Sequence, residues 1–360
     1  MLYREAGQFK TSYAKDWAIF PIAQDRIVVL AFLAIAFVGV PMFVGNYALE
    51  TILMPFLVMS MAAIGLNLLT GYAGQLSLGT GGFMATGAFA AYKLSTAFPG
   101  MPIEAVFIFS GVITAFVGIL FGIPSLRIKG FYLAVATLAA QFFLLWLYNK
   151  VPWFTNYSSS GVISAPPRTI MFTDIPVTGP DASITAKYLF ALVLVTVLAL
   201  AAKNLVRSSI GRRWMAIRDM DIAAEIIGIK PLQTKLSAFA ISSFYCGVAG
   251  AMWAFLYTGS VEPLAFDINR SFQVLFMVII GGLGSILGSF LGAAFIIALP
   301  ILLTNAPHML GLNIPVDMVS HLEFMIFGAL IIFFLIVEPH GLARLWQILK
   351  EKLRLWPFPY

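Results

Sequence analysis

The sequence predicts an all-α integral membrane protein of about ten transmembrane segments, arranged as two inverted repeats with Gly-rich broken or re-entrant helices. Composition, the length of the uncharged runs and the placement of basic residues carry that prediction. The chain has 360 residues, 60% hydrophobic and 11% charged, whereas soluble domains run near 45–50% apolar and about 25% charged. A single aqueous core stops growing at roughly 250–300 residues, so this much hydrocarbon must face lipid. Residues 51–92 carry no charge over 42 positions and residues 271–307 none over 37, against the ~20 residues that span a bilayer as helix. The runs are continuous and not alternating, which excludes a β-barrel.

Taken in order, the predicted passes are 27–45, 50–70, 76–96, 104–123, 131–149, 187–203, 237–257, 271–284, 286–304 and 321–338. With both termini in the cytoplasm, 17 of the 22 basic residues fall on the inner side. They are Arg4, Lys10, Lys15 and Arg26, then Arg127 and Lys129, a cluster of seven in 203–235, and Arg344, Lys350, Lys352 and Arg354. Glu104, Asp174, Asp181, Glu262, Asp267 and Asp317 fall outside, the expected bias. This divides the chain into an N-terminal segment (1–26), a transmembrane domain (27–343) with an inner loop at 203–235, and a C-terminal tail (344–360). The first segment, with Tyr3, Tyr13, Trp17 and Phe20, reads as a helix on the membrane surface or a flexible tail. No small-residue cleavage site closes it as a secretory signal.

Two places resist reading as plain helix. Gly71-Tyr-Ala-Gly-Gln-Leu-Ser-Leu-Gly-Thr-Gly-Gly82 puts five glycines and several polar groups inside uncharged sequence. Gly281-Gly-Leu-Gly-Ser285 interrupts a run too short for two full spans and a turn. Such breaks must be buried in protein or line a water-filled path, because lipid tolerates no exposed backbone polar group. Paired interrupted segments in two halves of a chain point to a transport site. The candidate path residues are Asn67, Gly71, Gly74, Gln75, Ser77, Thr80, Gly281, Gly282, Gly284 and Ser285. Each polar one could instead satisfy a neighbouring backbone group. The ladders Gly284, Gly288, Gly292 and Gly118, Gly122 read as close helix packing.

The inner loop holds Gly211-Arg-Arg-Trp-Met-Ala-Ile-Arg-Asp219 and Met-Asp-Ile-Ala-Ala-Glu-Ile-Ile-Gly-Ile-Lys-Pro231. Asp219 and Asp221 are placed to cap a short helix through Ile227, and Gly228 to stop it, with Pro231 beyond. Ala223, Ala224, Ile226 and Ile227 would offer a small apolar surface flanked by charge, a docking element for a partner's groove. The chain contains no phosphate-binding loop, and Glu50, Glu104 and Glu323 lie near predicted helix ends, not within the membrane. Energy for uphill movement must then come from another subunit; a self-sufficient carrier would need intramembrane charges that are lacking. His308 and His321 flank an outer turn and His340 lies across the membrane, too weak a set for zinc. Cys246 is the single cysteine and reads as inert packing. No cofactor, nucleic-acid site or catalytic group is predicted.

Three motifs in order, Leu66-Asn-Leu-Leu-Thr-Gly-Tyr-Ala-Gly-Gln-Leu-Ser-Leu-Gly79, Ile217-Arg-Asp with Ala223-Ala-Glu-Ile-Ile-Gly-Ile229, and Ile279-Ile-Gly-Gly-Leu-Gly-Ser-Ile-Leu-Gly288, resemble the LivM-type permease subunits of branched-chain amino-acid ABC transporters. The resemblance runs from about residue 27 to 343. It implies a bacterial inner-membrane protein that works with a LivH-type permease, two cytoplasmic ATPase subunits and a periplasmic binding protein. It implies that Arg218, Asp219, Ala223, Ala224, Glu225 and Gly228 belong to the segment resting on an ATPase. The loop departs from the best-known coupling motif, since Glu225 follows the Ala pair. The implied cargo is a branched-chain or related hydrophobic amino acid; related permeases carry urea, short amides or aromatic acids.

Overall fold

A computed structural model of the chain describes residues 12, 23–125, 131–158, 160–171, 175–179, 181–309, 316–337 and 341–355. The expectations for the N-terminal surface segment, Arg127, Lys129, Asp174 and His340, and for the side chains of His308 and His321, lie outside them.

Ten helices take the places of the ten expected passes. They are α1 (Asp25–Phe43), α2 (Asn46–Tyr72), α3 (Thr80–Ala97), α4 (Ile103–Ser125), α5 (Phe131–Lys150), α6 (Ile184–Arg207), then, after the two inner-loop helices α7 (Ser209–Asp219) and α8 (Asp221–Ile226), α9 (Pro231–Tyr257), α10 (Ile268–Gly281), α11 (Ile286–Met309) and α12 (Val316–Val337). A last helix, α13 (Gly341–Leu355), covers residues 344–355 of the expected tail and packs on α10 and α11. Among the described residues, eight spans are long and apolar enough to cross a bilayer. The least apolar, α3, is buried along its first ten positions, so it needs no hydrocarbon face of its own.

Burial grades from edge to centre. Within the apolar 18-residue stretch of each helix, only 6% of α1 is buried, against 83% of α2 and of α9. α1 therefore leaves Ile27, Leu30, Phe32 and Ile35 exposed, the composition that lipid accepts. The Tyr188 hydroxyl of α6 ties it to the bundle by donating to the Ala36 carbonyl (3.1 Å).

The two central helices disclose the repeat. Both are 27 residues long, both end in a five-residue π-helical turn (Leu68–Tyr72 and Trp253–Tyr257), and their bounds lie 185 residues apart. The helices that follow keep the same order: α3, α4 and α5 in one half, α10, α11 and α12 in the other. The halves are exchanged, since α2 packs against α10 and α11 while α9 packs against α3 and α4. Glycines make these crossings possible. A Cβ on Gly87 would run into the backbone of Gly247, and one on Gly250 into the carbonyl of Met84. Gly118 and Gly122 pack against α9 and Gly288 and Gly292 against α10 as expected, but Gly284 stands outside that ladder, in the turn before α11 beside Gly71 and Arg218.

One expectation about symmetry needs correcting. The two Gly-rich breaks are not each other's repeat mates. A shift of 185 residues carries residues 73–82 onto 258–267, the stretch after α9 that contains the 3₁₀ turn Pro263–Phe266. Those two segments meet, because a Cβ on Gly81 would lie 2.8 Å from the Phe266 carbonyl. α3 and α10 thus begin side by side and diverge. The far end of α3 meets Arg168 of the α5–α6 connection, whose guanidinium donates to the Ser95 and Pro99 carbonyls. The far end of α10 meets α2 and α13. At 14 residues α10 is only about 21 Å long, too short to span alone.

Strand pairs close the face at the end of α3. β1 (Ile163–Ser164) pairs antiparallel with β4 (Ser260–Val261), and β2 (Arg168–Thr169) with β3 (Pro176–Thr178). The α5–α6 and α9–α10 connections, both expected on the outer side, are joined by the first pair and by the Ala165 N–H donating to the Gly259 carbonyl (2.9 Å).

Candidate functional site

The site forms where the end of α2 meets the turn between α10 and α11. α2 delivers Asn67 one residue before its π turn, a local irregularity often found at functional positions. The Asn67 carboxamide is buried and uses both ends. Its Nδ2 donates to the Ser285 carbonyl (2.8 Å), to Ser289 Oγ (2.9 Å) and, more weakly, to the Gly282 carbonyl (3.4 Å). Its Oδ1 accepts from the Gly284 N–H (2.9 Å). One side chain from the first half thereby holds the broken turn of the second. That turn requires glycine, since Gly282 and Gly284 have φ of 117° and 74°, which other residues adopt only under strain.

Gly71 sits one turn later, so close that a Cβ would strike both Asn67 Oδ1 and the Gly284 backbone. Its carbonyl accepts a hydrogen bond from Arg218 Nη1 (2.8 Å). Arg218 belongs to α7, 147 residues away, and its stem also lies against Gly74. The inner-loop helix therefore reaches into the junction of both breaks.

The segment 73–79 leads from there to α3, whose first turn has no cap from its own N-cap residue, Gly79. Side chains of other helices supply the partners. Thr137 Oγ1 of α5 accepts from the Leu78 N–H (2.9 Å), Ser271 Oγ of α10 from the Gly81 N–H (2.8 Å), and Gln141 Oε1 of α5 from the Gly82 N–H. Gln141 Nε2 meanwhile donates to the Phe266 carbonyl (2.8 Å), and Ser271 Oγ donates to Gln141 Oε1 (3.1 Å). Gln141 thus staples the two repeat-related segments. Its replacement by Leu should orphan the Gly82 N–H and the Phe266 carbonyl, a loss of about 2–6 kcal/mol at ~1–3 per buried group. An unchanged thermal unfolding midpoint for the purified Gln141→Leu chain in detergent would contradict that role.

The expected path residues separate by duty. Asn67, Gly71, Gly281, Gly282, Gly284 and Ser285 gather at the junction; Gly281 packs against Gly288, and Ser285 Oγ accepts from the Gly288 N–H at the start of α11 (3.1 Å). Ser77 Oγ accepts from the Gly79 N–H (3.3 Å), a local turn, and Thr80 is buried as the first residue of α3. Gln75 differs from all of these. It is 3% exposed, its backbone is fixed by Leu69 and Thr70, yet neither its Oε1 nor its Nε2 has a partner among the described residues. Buried amides are ordinarily satisfied, so this one is a polar group held in reserve beside the junction.

The inner loop also differs from expectation in detail. Asp219 does not cap α8, because its carboxylate accepts from Arg218 Nε (2.8 Å); the N-cap is Met220, with no side-chain cap bond. α8 ends at Ile226, one residue early, and Gly228 (φ 91°) stops it with the Ile229 N–H donating back to the Ala224 carbonyl (3.0 Å). Ala224 is buried and does not belong to the outer surface. Ala223, Glu225 and Gly228 are exposed. The apolar face is instead Met220, Ile222, Ile226 and Ile227, each 70–82% exposed. α7 beneath is anchored by buried Trp214, whose Nε1 donates to Ser237 Oγ (3.0 Å).

Sequence reasoning missed Thr137, Gln141 and Ser271. The available signal was a single glutamine in the otherwise uncharged apolar run of α5, a residue that a lipid-facing helix has no use for.

Comparison with known proteins identifies relatives by sequence. The high-affinity branched-chain amino acid transport system permease proteins LivM of Salmonella typhimurium and Escherichia coli are each 29% identical over 339 residues, covering 89% of this chain and 75% of theirs. A probable branched-chain amino acid transport permease protein LivM of Methanocaldococcus jannaschii is 25% identical over 285 residues, 74% of this chain and 78% of that one. No solved structure matches. Residues 48–335, which hold both breaks, Gln141 and the Arg218 loop, match the permease component of branched-chain amino acid transport systems, and the chain belongs to that family.

Proposed function

We propose that the chain is one of two permeases of an ATP-driven importer, pairing with a LivH-type permease to pass a branched-chain amino acid, with residues 27–343 as the transport domain. In this reading it lies in the bacterial inner membrane with both termini cytoplasmic. Two cytoplasmic ATPase subunits engage the segment 203–235, and a periplasmic binding protein delivers the cargo to the joined α5–α6 and α9–α10 connections. The chain itself performs no catalysis.

The observation that carries the proposal is the Arg218 hydrogen bond to the Gly71 carbonyl. Met220, Ile222, Ile226 and Ile227 form an apolar face left uncovered by the described residues, suited to a groove on a partner. A push on that face moves α7 and α8, and Arg218 passes the movement to the end of α2. There Asn67 and Gly71 hold the Gly281–Ser285 turn, so α2 and α10 shift together. Asn67, Gly71, Gly74, Gln75, Ser77, Thr80, Gly281, Gly282, Gly284 and Ser285 then line or gate the path, and Gln75 is the group we assign to grip the passing amino acid. Arg218, Asp219, Ala223, Glu225 and Gly228 form or support the coupling segment, and Ala224 seats it.

The test is Arg218→Ala in the reconstituted complex with its ATPases and binding protein. Uptake of radiolabelled leucine should fall about tenfold or more, as loss of a hydrogen bond to a charged group is worth about 1.5–3 kcal/mol. ATP hydrolysis should persist, no longer stimulated by loaded binding protein. Uptake at the unsubstituted rate would show that the inner loop does not act through Gly71.

A further inference from the structure

The start of α10 carries charge inside the bundle. Sequence order puts Asp267 on the outer side and leaves the spans free of charge, but the fold draws residues 258–267 inward. Gln141, halfway along the 20-residue α5, is joined to the Phe266 carbonyl and to Ser271 Oγ. Asp267 and Arg270 therefore lie level with the middle of a spanning helix. Charged side chains at such depth are rare, face the bundle interior or a water-filled cavity, and mark solute pathways.

Arg270 is held rigidly. Its guanidinium lies over the Trp253 ring, 4.0 Å from the centroid, its Nε donates to the Ala265 carbonyl (3.3 Å) and its Nη1 to Gln273 Oε1 (2.9 Å). Its Nη2 has no hydrogen bond to the described residues. The Trp253 ring beneath is buried, and its Nε1–H also lacks a partner among them. Asp267 directs its carboxylate elsewhere, Oδ2 accepting from Asn269 Nδ2 (2.7 Å) and Oδ1 from the Arg270 backbone N–H (3.1 Å). A carboxylate has about four acceptor sites, so capacity remains. Opposite charges thus stand near one another, and each keeps bonding capacity.

A cavity of about 350 Å³ is bounded by both side chains, within the size range of small-molecule sites. Its other walls are largely aromatic. Phe272 and Phe276 stack with centroids 6.1 Å apart, and Phe276 meets Phe327 of α12 at 6.3 Å. Gly328 adds no bulk, and a Cβ there would meet nothing within 4 Å. A lipid tail would match the aromatic wall and leave the charges facing hydrocarbon, which is costly. An inorganic ion would use the charges and leave the wall idle. A free α-amino acid with an apolar side chain matches every part.

We propose that this cavity is a binding station for the zwitterionic cargo: Arg270 takes the carboxylate, Asp267 the ammonium, and Phe272, Phe276 and Phe327 the apolar side chain. The inference rests on the importer reading for the nature of the cargo, and it adds a second station to the one assigned to Gln75. It also links cargo to gate. The station stands at one end of the 14-residue α10 and the Gly281–Ser285 turn, held by Asn67, at the other.

The test uses membrane vesicles that contain the full chain with its native partners, irradiated with a leucine analogue bearing a diazirine in its side chain. Peptide mapping should place the label on residues 272–276 of α10 and 325–328 of α12. Excess leucine should abolish it. Leucinamide, which lacks the carboxylate, and isocaproate, which lacks the amine, should each compete at least tenfold less well, as should leucine analogue labelling fall at least tenfold in Arg270→Gln, because a bond to a charged group is worth that factor or more. Label confined to other segments, or no label, would overturn the assignment. So would equal competition by all three compounds, the behaviour of a cavity that accepts any apolar solute. The competition series uses the unsubstituted chain and does not depend on the variant folding. ATP-driven uptake decides the importer reading separately: intact uptake with an unlabelled cavity removes the station alone, and a labelled cavity without ATP dependence removes the importer reading alone.

Discussion

Asn67→Leu is expected to uncouple the two halves of the molecule. The substitution is close in size, so the bundle keeps its volume, but it removes the four described hydrogen bonds that tie Asn67 to residues 282–289. The bonds are unequal. The Gly282 contact at 3.4 Å is marginal, and the Ser285 carbonyl also accepts from the Ser289 N–H (3.2 Å). The Gly284 N–H has only Asn67 Oδ1 among the bonds described, and it would face an apolar group. An orphaned buried donor costs about 1–3 kcal/mol, and each further lost bond in a membrane setting about 0.6, so the total is about 2–4 kcal/mol. Ser289→Ala removes one bond and leaves the carboxamide in place, so it should lose no more than about 1 kcal/mol. Thermal unfolding in detergent checks the ranking, and leucine uptake by the reconstituted complex should fall severely for Asn67→Leu and slightly for Ser289→Ala. Equal unfolding midpoints for the two would mean that the turn is held by something other than Asn67.

That prediction rests on a contact 217 residues apart in the chain, which marks where sequence reading ends. Ten segments, their order and the two breaks were legible because each is local: an uncharged run, a glycine cluster, a proline after a helix. The exchange of α2 and α9 between the halves was not, since it depends on which helices pack and periodicity does not encode partners. For the same reason the breaks looked like symmetry mates. Both are glycine-rich, whereas the true mate of the first, residues 258–267, is held by Gln141 and a 3₁₀ turn and has a single glycine, Gly259. Within the site, Asn67 and Gly71 were legible as a polar group and a glycine inside apolar sequence. That Arg218 would spend its guanidinium on the Gly71 carbonyl, with Asp219 turned to it in place of capping α8, follows only from the fold. Ala224 illustrates the same limit at one residue. Its small apolar side chain suits an exposed docking face or a packed flank equally, and its burial in the fold decides between them.

The second large effect concerns assembly of the fold. Gly87→Ala adds one methyl group where α3 crosses α9, and that methyl runs into the O, Cα and C atoms of Gly247. A clash with a flexible side chain is relieved by a rotamer change, but here both contacting surfaces are backbone. Gly247 cannot withdraw toward α4 either, as a Cβ there would already meet Thr114. The two helices must separate, which also loosens the neighbouring contact of Gly250 with Met84. Overpacking of this kind costs typically 1–3 kcal/mol and occasionally more, and in lipid no hydrophobic force pulls displaced helices back together. Gly87→Ala is therefore expected to cut the yield of monodisperse protein sharply and to lower its unfolding midpoint. Gly39→Ala is the internal control and should move the other way. Gly39 is helical (φ −64°) on the exposed α1, and a Cβ there meets only Ile35, at 3.6 Å. Alanine is favoured over glycine in a helix by about 1 kcal/mol, so this variant should be as stable as the original chain or more so. If both substitutions behaved alike in size-exclusion profile and unfolding midpoint, the close approach of α3 and α9 would not be what holds the two halves together.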